Sequence, residues 1–167
     1  RQLDWRREHF RLREMILSEG DRGLAEIYAL VLMPDHFHLV VRQLVDRGIE
    51  RFLHRLCNSY GRYFNMRHQR KGSIFIGPYK AIHLSSDAQA AHIFTYIHAN
   101  PLDLIEKSWR EGDLNDWPRA EQFLKNYRWS SLGAYTDTKS HPLFSKIINK
   151  KFAADYFTNE EDHFDAI

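Results

Sequence analysis

LMPDHFHLVV, residues 32–41, sets His36 and His38 one residue apart inside an apolar run. If this run is a strand, the two histidines share one face, and Phe37 and Leu39 take the other, because side chains alternate along a strand. The Cα atoms of His36 and His38 are then roughly 6.5–7 Å apart, so both imidazoles can converge on one ion. Imidazole is a good ligand for zinc, manganese and similar ions. Two histidines on the solvated face of a half-buried strand need no metal, and the pair alone leaves both readings open.

Working outward, AEIYALVL alternates and is aliphatic, as a strand should be. Pro34 and Asp35 are a turn signal, so the two strands form an antiparallel hairpin. Phe10, Leu12, Met15 and Ile16, with a stop at Gly20, predict an amphipathic helix over 6–19. Ile49, Phe52, Leu53, Leu56, Tyr60, Tyr63 and Phe64 predict a long helix to about His68. KGSIFIGPYKAIHL reads as a loop with one or two short strands around Gly77 and Pro78. Ser86 and Gln89 form a capping box for a helix to about Ala99. Asn100 precedes Pro101 and is expected to leave the helical region. Residues 102–127 read as a charged loop, and WSSLGAY as a turn or short helix capped by Ser130 or Ser131. Ile147, Ile148, Phe152 and Tyr156 give a weak helical period. The order predicts an α+β fold, an antiparallel sheet packed by helices on one face.

On the capped helix, Ala90, Ile93, Phe94 and Ile97 form the buried stripe. Tyr96 and Asn100 share its flank, about 40° apart at ~100° per residue. Asn100 can offer a carbonyl oxygen to an ion bound by the histidines, with the Tyr96 phenol beside it. Spacing alone favours reading them as a boundary aromatic and a helix cap.

The 167 residues, 43% of them hydrophobic, suit one domain with a real core. No run of about 18 apolar residues predicts a membrane span, and the start has no apolar signal region. Cys57 is the single cysteine, which points to a reducing compartment, the cytoplasm. Net charge is only +2, but Arg51, Arg55, Arg62, Arg67, Arg70, Lys71 and Lys80 span a stretch without Asp or Glu. Such a stripe is the footprint of a polyanion partner or simply a solvated face. Tyr60, Tyr63, Phe75, Tyr79 and Trp129 are candidates to stack unpaired bases, although most read as core.

LMPDHFHLVV, YGRYFN, GPYKAI, YIHANP and WSSLGAY, in this order, resemble the REP-associated tyrosine transposases of the HUH superfamily of single-strand DNA transposases. The resemblance covers residues 26–135, with 136–167 a weakly matched extension of a single transposase-like domain. It implies a ferredoxin-like antiparallel sheet with the metal-binding His pair on a central strand. It further implies His36, His38 and Asn100 as ligands of a divalent metal, Mg2+ or Mn2+ in action, and Tyr96 as the catalytic nucleophile. The activity it implies is cleavage and rejoining of single-stranded or hairpin DNA through a 5′-phosphotyrosine. The basic residues named above would hold phosphates. A non-cleaving hairpin DNA or RNA binder on the same fold is the alternative, and a metal hydrolase using bound water a third reading. A monomer is slightly favoured. The family's usual first strand, before the first helix, is not among these residues: either it precedes Arg1 or the sheet is shorter; Asp35 stands where the family often has Asn.

Overall fold

The computed structural model describes residues 23–112, 114, 116–136 and 141–151. The helix expected over 6–19, and Phe152 and Tyr156, lie outside the described residues. These divide into two compact units: one contains residues 23–26 and 43–76, the other 27–42 and the described residues from 77 onward.

The architecture is α+β, with a two-stranded antiparallel sheet and helices. Strand β1 is Ala25–Leu32 and β2 is Phe37–Gln43. Pro34 and Asp35 make the tip between them, and the Met33 N–H donates to the His36 carbonyl at 2.8 Å. The other edge of β1 is taken as well. Leu32 N–H donates to the Trp129 carbonyl (2.9 Å), and the Leu30 and Ile27 carbonyls accept from Ser131 and Asn149 N–H (both 2.8 Å). Among the described residues it is therefore β1, not the histidine-bearing β2, that has partners on both edges.

Both faces of this hairpin are covered. Ala29, Val31, Met33 and Val40 pack with Phe94 and Ile97 of helix α2, Asp87–Ala99. Leu30 and Leu39 meet Phe144 and Ile148 on the other side, around the short helix α5, Phe144–Ile147. The helices are thus not confined to one face, as the sequence suggested. Residues 36, 38 and 40 alternate onto the α2 side, and Val40 fixes that side by its burial. The histidines face α2 for this reason.

Helix α2 starts as expected, with the Ser86 hydroxyl accepting from Gln89 N–H (3.3 Å). The reciprocal bond comes from Ser85 N–H to Gln89 Oε1 (3.0 Å), one residue earlier than a strict capping box. The α-helical hydrogen bonding ends at Ala99, but Asn100 stays helical at φ −49°, ψ −36°, and the chain tightens into a 3-10 turn, Asn100–Leu104. Pro101 sits at the start of that turn, where its fixed φ fits and its missing N–H costs least. The residue-before-proline rule is a bias, and packing overrides it here.

Residues 102–127, read as loop from their charge, contain a second 3-10 turn, Lys107–Glu111, and helix α3, Trp117–Asn126. Asp116 caps α3 by accepting from Arg119 N–H (3.1 Å), and Pro118 lies in its first turn. Ala120 and Leu124 then bury against Leu102 and Leu132. The short strands expected near Gly77 and Pro78 are absent; residues 74–84 hold no strand.

The first unit is built on helix α1, Gly48–Arg67. Gly48 is required there, since a Cβ would fall 2.1 Å from the Leu24 carbonyl oxygen. Arg51, Arg55 and Arg62 lie within about 40° of each other around α1 and are exposed. Arg67, Arg70 and Lys71, and Lys80 in the second unit, are exposed too. Among the described residues no helix is long and apolar enough to cross a membrane.

Ser131, fully buried, ties three elements. Its hydroxyl accepts from Leu30 N–H (2.9 Å) and lies 2.7 Å from His98 Nε2 on α2. It precedes helix α4, Leu132–Tyr135, whose Leu132 N–H is capped instead by the Ser130 hydroxyl (3.1 Å). Removing an oxygen that serves two buried groups costs about 1–3 kcal/mol. Ser131→Ala is expected to lower the unfolding free energy from urea denaturation by that amount, read as a lower midpoint with an unchanged m-value.

Candidate active site

His38 is the second residue of β2, and His36 stands just before its first. Both rings point to one side of the hairpin, T-shaped, with centroids 4.9 Å apart. The Asp35 carboxylate lies 2.7 Å from His36 Nδ1. That hydrogen bond, and then the His36 charge, hold the exposed Asp35 carboxyl below its usual range. A carboxylate on Nδ1 orients the ring and presents Nε2 outward, as in many metal-ligating histidines.

Tyr96, half-buried on α2, sets its ring edge-on to His38 with centroids 6.5 Å apart. Asn100, fully buried one turn later, donates from Nδ2 to the Tyr96 carbonyl (2.8 Å). This turns the Asn100 oxygen away from the helix. Arg110 Nη2 donates to Oδ1 at 3.3 Å, and Asn100 lies near enough to His38 to favour the charged form of its ring. The four side chains singled out in the sequence therefore share one region of the second unit, at the end of the hairpin and the C-terminal turn of α2.

Three residues at this site escaped the sequence reading: Asp103, Trp109 and Arg110. Asp103 accepts from Trp109 Nε1 (2.7 Å) and from Arg110 Nη2. The Arg110 guanidinium carbon lies 5.5 Å from the centre of the Tyr96 ring and 5.4 Å from that of Trp109. Trp109 itself is 5.9 Å from Tyr96, centroid to centroid. No spacing rule links Asn100 to Arg110, because two successive 3-10 turns fold the chain back between them.

Two further histidines, His98 and His92, share α2 with Tyr96. His98 is fully buried against Phe94, Tyr135 and Ser131, whereas His92 is exposed. The aromatics read mainly as core are mostly outside it. Tyr60, Tyr63, Tyr79 and Trp129 are 45%, 54%, 51% and 44% exposed, and only Phe75 is half-buried. Trp129 stacks on His141 at 5.6 Å beneath the Arg128 guanidinium.

A family model described as "Transposase IS200 like" matches residues 5–100, more than half of the chain and a span that includes His36, His38, Tyr96 and Asn100. The chain belongs to the IS200-like transposase family. Transposases of this kind act on DNA, and a DNA substrate follows for this IS200-like chain. No curated protein and no solved structure gives a match.

Among the described residues no cluster of three or more His, Cys, Asp and Glu side chains is arranged to hold a metal. A three-donor site on His36 and His38 would take a donor of another kind, such as the Asn100 amide oxygen. Two neutral imidazoles and an amide oxygen, with the remaining positions open, fit a divalent ion in a reactive rather than a closed structural role. Burial first, then the charges of His36 and Arg110, push the His38 imidazole below its ordinary 6.5, against an opposing pull from Asp103 and Asn100.

The sign for stability follows. On acidification through 6.5 the unfolded chain takes up this proton before the folded one does, so His38 favours folding above that pH and disfavours it below. An NMR titration of the ring is expected to give a midpoint under 6.5, and His38→Gln to reduce the loss of stability between pH 7 and 5.

Proposed function

We propose that this protein is a REP-associated type of IS200-like transposase, which cleaves and rejoins single-stranded or hairpin DNA through Tyr96. The observation that carries the reading is the convergence of His36, His38 and Asn100 beside Tyr96 within a chain of this family. The finer fold belongs to the same proposal: β1, with partners on both edges, is read as part of a ferredoxin-like antiparallel sheet.

The Tyr96 oxygen attacks the phosphorus of the scissile phosphodiester in line with the leaving 3′ oxygen. The P–O3′ bond breaks as the Tyr–O–P bond forms, and the departing oxygen takes up a proton to become a 3′-OH. Attack by a 3′-OH on the phosphotyrosine reverses the step and joins strands. One bond is exchanged for another of the same kind, so no ATP is consumed. His36, His38 and Asn100 would hold a divalent ion, Mg2+ or Mn2+, which supplies charge neutralisation and orientation of the phosphate. Asp35 keeps the His36 ring aimed, and the Asn100 bond to the Tyr96 carbonyl holds the ligand amide against the α2 backbone that carries the phenol. Trp109 covers one side of the Tyr96 ring and restricts its swing.

The exposed Arg51, Arg55 and Arg62 stripe supplies phosphate contacts, with Arg67, Arg70, Lys71 and Lys80 adding charge. Exposed Tyr60 and Tyr63 suit stacking on unpaired bases.

Tyr96→Phe is expected to abolish both cleavage of a 3′-labelled hairpin oligonucleotide and the labelled protein–DNA adduct on a denaturing gel. Cleavage without any adduct would move the reading to a hydrolase, and binding with no cleavage by the unaltered protein would leave a non-cleaving binder. Replacing Arg51, Arg55 and Arg62 together by Ala should weaken single-strand binding and flatten the plot of log affinity against log salt by about 2, at ~0.7 per lost contact.

A further inference from the structure

Arg110 presents an unusual conjunction. Its Nη2 donates to the Asn100 oxygen, the atom that the proposed function assigns to a divalent ion. A guanidinium is charged at every accessible pH, and a cation this close to a ligand oxygen repels a second cation there. The bond to Asn100 is long at 3.3 Å and goes to a neutral acceptor, whereas the bond to Asp103 is charge-assisted. Asp103 is itself held by Trp109 Nε1 at 2.7 Å, so it anchors Arg110 near the site while the contact with Asn100 is the weaker of the two. Both of these bonds leave from Nη2, and the side chain is exposed. The remainder of the planar fork matches the geometry of a phosphate, a far stronger partner than an amide oxygen.

The geometry points to Arg110 as a gate on the third ligand position: it occupies the Asn100 amide oxygen until a DNA phosphate beside Tyr96 draws it away, and the site then accepts a divalent cation more tightly. This inference rests on the ligand set proposed above and adds its regulation. The family match ends at residue 100, so Asp103, Trp109 and Arg110 lie beyond it. The guanidinium stands over the Tyr96 ring, so the phosphate it would grip is the one within reach of the phenol. Coupling of this kind is reciprocal: whatever factor DNA adds to cation affinity, the cation adds to DNA affinity.

The test is isothermal titration of Mn2+ into the full chain, with and without a saturating hairpin oligonucleotide, after subtracting Mn2+ binding to the oligonucleotide alone. For the unaltered protein the oligonucleotide is expected to tighten Mn2+ about tenfold, within the range usual for linked sites. Arg110→Gln is expected to bind Mn2+ several-fold more tightly without DNA and to gain clearly less than the unaltered protein on adding it, what remains being the direct pull of the phosphate on the ion. Circular dichroism checks that this variant folds; the effect of the oligonucleotide on the unaltered protein stands as a test whether or not it does. No tightening by DNA in the unaltered protein overturns the gate, as does equal tightening in a folded Arg110→Gln. A His36→Ala, His38→Ala double variant separates the failures. If it binds Mn2+ as the unaltered protein does, the ligand set itself falls and the gate with it.

Discussion

Strand β1 is the member on which the second unit depends. Its backbone is hydrogen-bonded along both edges, to β2 on one side and to Trp129–Ser131 and Asn149 on the other. Its side chains are buried on both faces, Ala29 and Val31 beneath α2, and Leu30 against Phe144 and Ile148. A strand satisfied in all four directions cannot slide, because a shift of one residue would exchange its two faces. The position of β2 follows from β1, and the position of the histidines follows from β2.

Helix α2 is fixed against that frame by Phe94 and Ile97 in the core and by the His98 contact with Ser131, whose hydroxyl also bonds Leu30 of β1. The side of α2 that faces the sheet thus sets the rotation of the whole helix. Tyr96 and Asn100 are carried to the hairpin end as a consequence and need no long-range contact of their own to get there. The charged partners, Asp103 and Arg110, arrive by a different route, through two tight turns that fold back on the helix end.

Much of this was readable from residue order. Period-two alternation in AEIYALVL and the Pro-Asp break gave the hairpin, and Ser86 with Gln89 gave the start of α2, because these signals are local. The end of α2 was read correctly for the wrong reason: Asn100 remains helical despite Pro101, and only packing against neighbours decides that. Helix α3 was missed because its apolar stripe is short, Ala120 and Leu124 with Phe123 beside them, and its surroundings are acidic; Asp116 and Pro118 were the available cue. The His36, His38, Tyr96 and Asn100 grouping was visible because two short periodicities carry it. Arg110 was not, because its place depends on turns whose geometry no spacing encodes. Tyr60 and Tyr63 of α1 read both as base-stacking candidates and as core, because a helical aromatic stripe looks the same whether it meets a core or solvent; their exposure decides against the core.

One feature of α2 bears on how such a chain can diversify. The carbonyl of Tyr96 accepts from the Asn100 side chain, so the two residues are tied through a single helical turn. Inserting or deleting one residue between them would rotate one about 100° from the other and break the tie. Point changes along the exposed arginine helix carry no such penalty. Substitutions can therefore accumulate there, whereas a change in the length of the Tyr96–Asn100 turn cannot pass without breaking its hydrogen bond.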